Sequence, residues 1–366
     1  MDTKRVRHIR YIAWGGLLAL VWAIQLIPGW GEGYARYIYP PVCRFLSFFS
    51  SLLPFSVGDL FIFLSILFLC LYPGYGAWKK QGWKKILRRE AEFLTIIYIW
   101  FYLAWGLNYS QDSFYKRTGI TYTPYSEEQF LAFCHLYIEA LNSHWIVIEN
   151  IDKEEVRREI KKQYDLHGKE LGIRVSVPSL PSDKEMLFSS LISKVGVLGY
   201  MGPFFCEYNL NKELLPVQFP ATYAHELAHF LGISGEAEAN FYAYQVCTRS
   251  QDPDIRFCGY FSILNYVLGN AYRLLEEESY KELFDTIRPE IIELVRYKQA
   301  YWEQRYSPAI GNIQKWIYDL YLRGNKIESG RKNYSEVIGL LLSYEVWQQT
   351  QTATEEDRKS APVTEP

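Results

Sequence analysis

The stretch YAHELAHFLGISGEAEANFYAY, Tyr223 to Tyr244, holds the residue types and spacings best suited to chemistry. His225 and His229 stand four positions apart, so on a helix their rings leave the same face and can reach one ion. Glu226, beside the first histidine, can reach a water on the open side of that ion and act as its general base. Two imidazoles and a carboxylate in a tetrahedral set suit Zn2+, which would lower the pKa of a water to roughly 7. Five-residue HExxH matches also arise by chance in unrelated helices, so the third ligand carries much of the argument.

Two glutamates follow the second histidine. Gly232 and Gly235 let the chain reverse quickly, so a second helix starting near Gly235 can face the first. Glu236 and Glu238 are about 200° apart around such a helix and cannot both point at the ion. Asn240 lies one turn after Glu236 and shares its face, where it can hydrogen-bond a ligand histidine. Glu238 shares a face with Tyr242 instead. Glu236 is therefore the expected ligand and Glu238 the alternative. No Cys or His near the motif offers a fourth ligand, which favours an open, catalytic site. His8, His135, His144 and His167 read as ordinary histidines. Tyr260, Tyr266, Arg256 and Arg273 are downstream candidates for stabilising an oxyanion, with nothing in the sequence to choose among them.

The elements that must position this motif fall into two parts. Mean hydropathy is -0.13 overall, yet nearly all the long apolar runs precede residue 110. Spans are expected at about 11–28, 60–78 and 93–109, each near the roughly 20 residues that cross about 30 Å of hydrocarbon. The segment Phe45 to Val57 is apolar, short and interrupted by Pro54, and reads as interfacial or re-entrant. Lys4, Arg5, Arg7 and Arg10 precede the first span, and six basic residues crowd 79–89. Basic loops stay in the cytoplasm. The N-terminus is thus expected inside and everything after Tyr109 on the extracytoplasmic side of a cytoplasmic (inner) membrane.

Residues 111–348 read as a mainly helical globular domain, and 349–366 as a disordered tail. Ser126 and Gln129 form a capping-box pattern, and 152–172 reads as a charged helix. Residues 173–180 could be a strand. Phe204 to Leu210, FFCEYNL, reads as a second strand, along which an extended peptide could bind if it lies at a sheet edge. The glycines just before it suggest turns. The six cysteines form no CxxC pair and read as buried free thiols, although Cys247 and Cys258 could pair in an oxidising compartment. A net charge of -2 gives no reason to expect a nucleic-acid partner.

HELAH followed by ExxAN resembles the gluzincin zinc metallopeptidases, in which HExxH is completed by a glutamate from a following helix. That glutamate is commonly followed four positions on by Asp or Asn, which matches Glu236 and Asn240. The spacing is shorter than in most gluzincins. It is nearer the metzincin plan, which Gly232 fits, but that plan's third histidine falls on Gly235. The whole chain is also similar to a Bacteroidetes-type family of multi-pass membrane proteins of unknown function, with WGLNY (Trp105 to Tyr109) and ExEANF (Glu236 to Phe241) as its marks. The resemblance implies a mainly α fold, with N-terminal transmembrane helices followed by a helical zincin-like domain containing a small β element. It implies a membrane-anchored zinc metallopeptidase whose partners are the lipid bilayer and a peptide or protein substrate. Two other readings stay open. One is an envelope scaffold or receptor with a structural or degenerate motif, and the other a zinc hydrolase of a non-peptide envelope substrate.

Overall fold

A computed structural model describes residues 3–175, 183–312, 314–316, 325 and 336–360. The chain is mainly helical. In order it forms α1 (Thr3–Leu26), α2 (Trp30–Gly33), a π-helical turn (Tyr34–Ile38), α3 (Tyr39–Ser51), α4 (Val57–Trp78) and α5 (Trp83–Ala104). A 3-10 turn (Gly106–Ser110) leads to α6 (Phe114–Thr118), α7 (Glu127–Ser143) and α8 (Lys153–His167). Next come β1 (Asp183–Glu185), α9 (Ser189–Ser193), β2 (Gly199–Gly202) and β3 (Glu207–Leu210). The remaining elements are α10 (Phe219–Phe230), α11 (Glu236–Thr248), α12 (Pro253–Leu274), α13 (Glu277–Asp285), α14 (Pro289–Glu303) and α15 (Val337–Ser360).

Contacts group these residues into two compact units. The first comprises 1–112, 173–214 and 226–234. Among its described residues are two helices long and apolar enough to cross a membrane, Arg5–Leu26 and Val57–Trp78, with only 11% of the most apolar stretch of each buried. A helix in the core of a soluble protein would instead be mostly covered. The third expected span, 93–109, overlaps the end of α5. Its apolar residues are the second half of α5, whose first half carries Lys84, Lys85, Arg88, Arg89, Glu90 and Glu92, and the helix stops at Ala104.

A three-stranded sheet of order β1-β3-β2 completes this unit, with β1 parallel and β2 antiparallel to β3. FFCEYNL therefore supplies the central strand, not an edge. Its neighbour on one side is the glycine-bearing stretch expected to form turns, which pairs as Gly199↔Leu210 through Gly202↔Glu207. Of the strand expected at 173–180, residues 176–180 lie outside the described residues. Glu207, fully buried on β3, accepts hydrogen bonds from Ser56 Oγ (3.0 Å), Val57 N (3.3 Å) and Gly58 N (2.6 Å). A carboxylate at the N-terminus of α4 satisfies donors the helix cannot pair internally. Burial still holds the Glu207 pKa above the ordinary glutamate value, against the lowering effect of these hydrogen bonds.

The second unit comprises 113–172, 215–225 and 235–366. Its core is aromatic, with Phe130, Tyr223, Phe241, Tyr242, Phe257, Phe261 and Tyr344 nearly inaccessible to water. α7 opens on the expected capping box, with Ser126 Oγ accepting from Gln129 N and Ser126 N donating to Gln129 Oε1. α8 ends at His167, earlier than its charge pattern suggests, and buries Val156, Ile160 and Tyr164 on one face. The tail expected to lack structure from 349 is helical as far as Ser360, and 361–366 lie outside the described residues. All six cysteines are free, five of them buried.

Candidate metal centre

The motif lies on α10, followed by a turn and then α11. Its C-terminal end follows the Schellman pattern. Gly232 sits at φ +96, Ile233 N donates to Ala228 O at 3.1 Å and Gly232 N to His229 O at 3.0 Å. Glycine is required here twice over. A side chain would be strained at that φ, and a Cβ would meet the Tyr39 ring at 3.1 Å. The turn has a chemical consequence as well. It carries the Ile233 carbonyl back to His229, whose Nδ1 lies 2.6 Å from that oxygen.

His229 Nδ1 therefore carries the proton, and Nε2 keeps its lone pair. His225 is fixed in the same way by Asn240, with Nδ1 at 3.0 Å from Asn240 Oδ1. Asn240 Nδ2 in turn donates to Tyr266 Oη at 3.4 Å, which agrees with the orientation of the amide. Burial, together with the nearby charge of Glu236, pushes the Tyr266 phenol up to about 12. It is a neutral hydroxyl at ordinary pH.

With both Nδ1 atoms engaged, His225 Nε2 stands 3.2 Å from Glu236 Oε2. The ligand atoms of His225, His229 and Glu236 all lie within 4.8 Å of one another. Donors held about 2.0–2.2 Å from one tetrahedral ion would be roughly 3.3–3.6 Å apart. The set fits such an ion with small side-chain movements. Glu238, the alternative ligand, is turned away. It accepts from Phe114 N at 3.0 Å and pairs with Arg117 at 2.5 Å. Burial opposes the Arg117 charge, but Glu238 and Tyr242 more than offset it and hold its pKa above the ordinary value.

Glu226 is buried, with 4% of its surface exposed, and a residue that sequence reasoning missed lies against it. A Cβ at Gly199 would fall 2.5 Å from Glu226 Oε1 and 2.6 Å from Cγ. The first residue of the edge strand β2 thus packs its bare backbone on the candidate base. Among the other long-range candidates, only Tyr266 is drawn to the site. Tyr260 O accepts from Tyr137 Oη, and Arg256 and Arg273 bond to the carbonyls of Ser250 and Gly269.

Three further side chains hold the end of α10. Trp105 Nε1 donates to His229 O at 3.0 Å, Tyr39 Oη to Phe230 O at 2.6 Å, and Gln111 Nε2 to Gly232 O at 2.6 Å. Ser234 Oγ donates to Asn108 O at 3.2 Å. The last carbonyls of a helix lack internal partners, and here Tyr39 and the segment containing WGLNY supply them. The family model for proteins of unknown function designated DUF3810 matches residues 34–342, spanning both WGLNY and the motif. The chain belongs to the DUF3810 family. That match includes every residue of the candidate centre and its anchors. Among curated proteins, centromere protein N of Mus musculus is 33% identical over 64 residues, 16% of this chain and 19% of that protein. The chain thus spans about a fifth of the length of that relative. No solved structure matches significantly.

Proposed function

We propose that this protein is a membrane-anchored, zinc-dependent hydrolase of peptide bonds, with His225, His229 and Glu236 as ligands and Glu226 as general base. The observation that carries the reading is the convergence of two histidines and one carboxylate, each imidazole being oriented by a hydrogen bond at Nδ1. A glutamate from the following helix with Asn four positions on is also the gluzincin arrangement. Zinc, when bound, would supply a Lewis acid and a water of lowered pKa. Glu226 would take a proton from the attacking water on its carboxylate and deliver it to the leaving nitrogen. Gly199, lacking a side chain, lets β2 pack closely against that carboxylate. Among the described residues β2 pairs with β3 alone, so its other edge can take an extended peptide that runs past Glu226. The bare α1 and α4, with the apolar second half of α5 as a third crossing, supply the membrane anchor. The basic residues in the first turns of α1 and between α4 and the apolar half of α5 favour an inside N-terminus, and a third crossing by α5 then puts the centre on the extracytoplasmic side.

The test is turnover of a mixed peptide pool by purified protein, wild type against Glu226→Gln, with zinc content followed in parallel. The reading expects hydrolysis to fall at least a thousandfold while zinc is retained. Full hydrolysis by Glu226→Gln would overturn the assignment of the base. A wild type that holds zinc but cleaves no peptide would move the protein to the scaffold or non-peptide reading.

A further inference from the structure

α3 has two unlike faces. Tyr39, Cys43, Leu46, Ser47 and Ser50 are buried, whereas Phe45, Phe48, Phe49 and Leu52, at the i, i+3, i+4, i+7 positions of the other face, are 63, 48, 53 and 64% exposed. The three phenylalanines form one cluster, with ring centroids 4.9 Å apart for Phe45–Phe49 and 5.3 Å for Phe48–Phe49. So large an apolar face on a surface helix marks a partner. We infer that the partner is lipid: α3 lies in the bilayer interface on its Phe45–Leu52 face and holds the C-terminal end of the metal-motif helix at the membrane surface.

Three observations single out lipid. The first is position: α1 ends at Leu26 and α4 begins at Val57. A chain that crosses a membrane and crosses back leaves its connection on one side, so α3 must lie at the surface where both spans emerge. The second is charge. No acidic residue occurs between Glu32 and Asp59, and Arg44 is exposed beside the phenylalanines, as an interfacial helix over anionic headgroups requires. The third is the burial pattern. A re-entrant helix would be lined by protein or an aqueous cavity where it turns, but here one whole face is bare. On the covered face, Tyr39 Oη and Cys43 Sγ both donate to Phe230 O, at 2.6 and 3.7 Å. The helix resting on lipid is thereby joined to the last turn of α10.

This inference rests on the membrane reading of α1 and α4, and the experiment separates the two. Cys70, the exposed thiol, is replaced by Ser. Single cysteines are then placed at Phe49, at Ile66 within α4 and at Glu282 as a solvent control. Each is labelled with an environment-sensitive fluorophore in the full-length protein, reconstituted into phosphatidylethanolamine–phosphatidylglycerol liposomes. Nitroxide lipids labelled at shallow or deep positions act as quenchers. The inference expects the Phe49→Cys label to be quenched at least twofold by the shallow nitroxide and less by the deep one. Ile66→Cys should show the reverse, and Glu282→Cys neither. Quenching at Ile66→Cys but not at Phe49→Cys would overturn the interfacial placement and leave the spans intact. No quenching at either would overturn the membrane reading itself. A Phe49→Cys label shielded from water but not quenched, with shielding that fades on dilution in detergent, would assign the face to a second copy of the chain and refute lipid.

Discussion

At His225 and His229, the hydrogen bonds to Asn240 and to the Ile233 carbonyl decide which ring nitrogen is offered to an ion. Such partners commonly contribute 10–100-fold to metal affinity. Asn240→Ala should therefore weaken zinc binding by about that factor in chelator competition, with the fold unchanged, and unaltered affinity would refute the role. Glu238 plays a different part. Its removal leaves Arg117, whose side chain is 3% exposed, as an uncompensated buried charge. Breaking such a pair costs about 3–5 kcal/mol. Glu238→Ala should lower the thermal midpoint sharply, whereas Glu236→Ala should abolish zinc binding with little change in stability in the absence of metal. Equal thermal shifts for the two would contradict this division. That Glu236 and Glu238 point different ways was legible in the sequence because one helix cannot aim both carboxylates at one point. What Glu238 does instead was not, since Arg117 lies 121 positions away in the chain.

At the scale of elements, α10 is placed by its two ends and by β2. Gly199→Ala would put a methyl group 2.5 Å from Glu226 Oε1, in space the carboxylate occupies. Hydrolysis should fall at least tenfold while zinc binding stays near wild type, and a fully active variant would sever β2 from the chemistry. Gly232→Ala forces a left-handed residue, at a cost of about 1–2 kcal/mol, and crowds Tyr39. Since the same turn delivers the Ile233 carbonyl to His229, both stability and zinc affinity should drop, and a loss of stability alone would contradict the link. The helices around the motif were readable from apolar period, caps and glycines. The sheet was not. β2 is four residues with a glycine at each end, a composition with weak strand preference. It becomes a strand only through pairing with β3, which no local pattern reveals.

For the whole molecule, the division into an apolar N-terminal part and a charged remainder was legible from composition. The bounds of α5 were not, because no apolar period or cap marks its start at Trp83 among charges or its stop at Ala104. The grouping of residues 173–214 with the N-terminal segment was equally hidden, since it depends on contacts far apart in the chain. Away from the centre, Lys298 on α14 lies over the Phe261 ring at 4.6 Å, and burial lowers its pKa from 10.5 to about 8. Between those values the unfolded chain holds a proton that the folded chain lacks, so stability should rise with pH through that window. Lys298→Met should gain roughly 1–2 kcal/mol at neutral pH, after allowance for remaining solvent contact, and lose that advantage above pH 10.5. Thermal unfolding in detergent across the window reads this directly, and a pH-independent difference would contradict the burial of the charge.

The central claim is tested most directly by zinc stoichiometry, measured by mass spectrometry on detergent-purified wild type, Glu236→Ala and Glu238→Ala. The account predicts about one zinc per chain in the wild type, lost in Glu236→Ala and kept in a folded Glu238→Ala. Wild type without divalent metal after zinc is supplied, or zinc kept in Glu236→Ala, would contradict it.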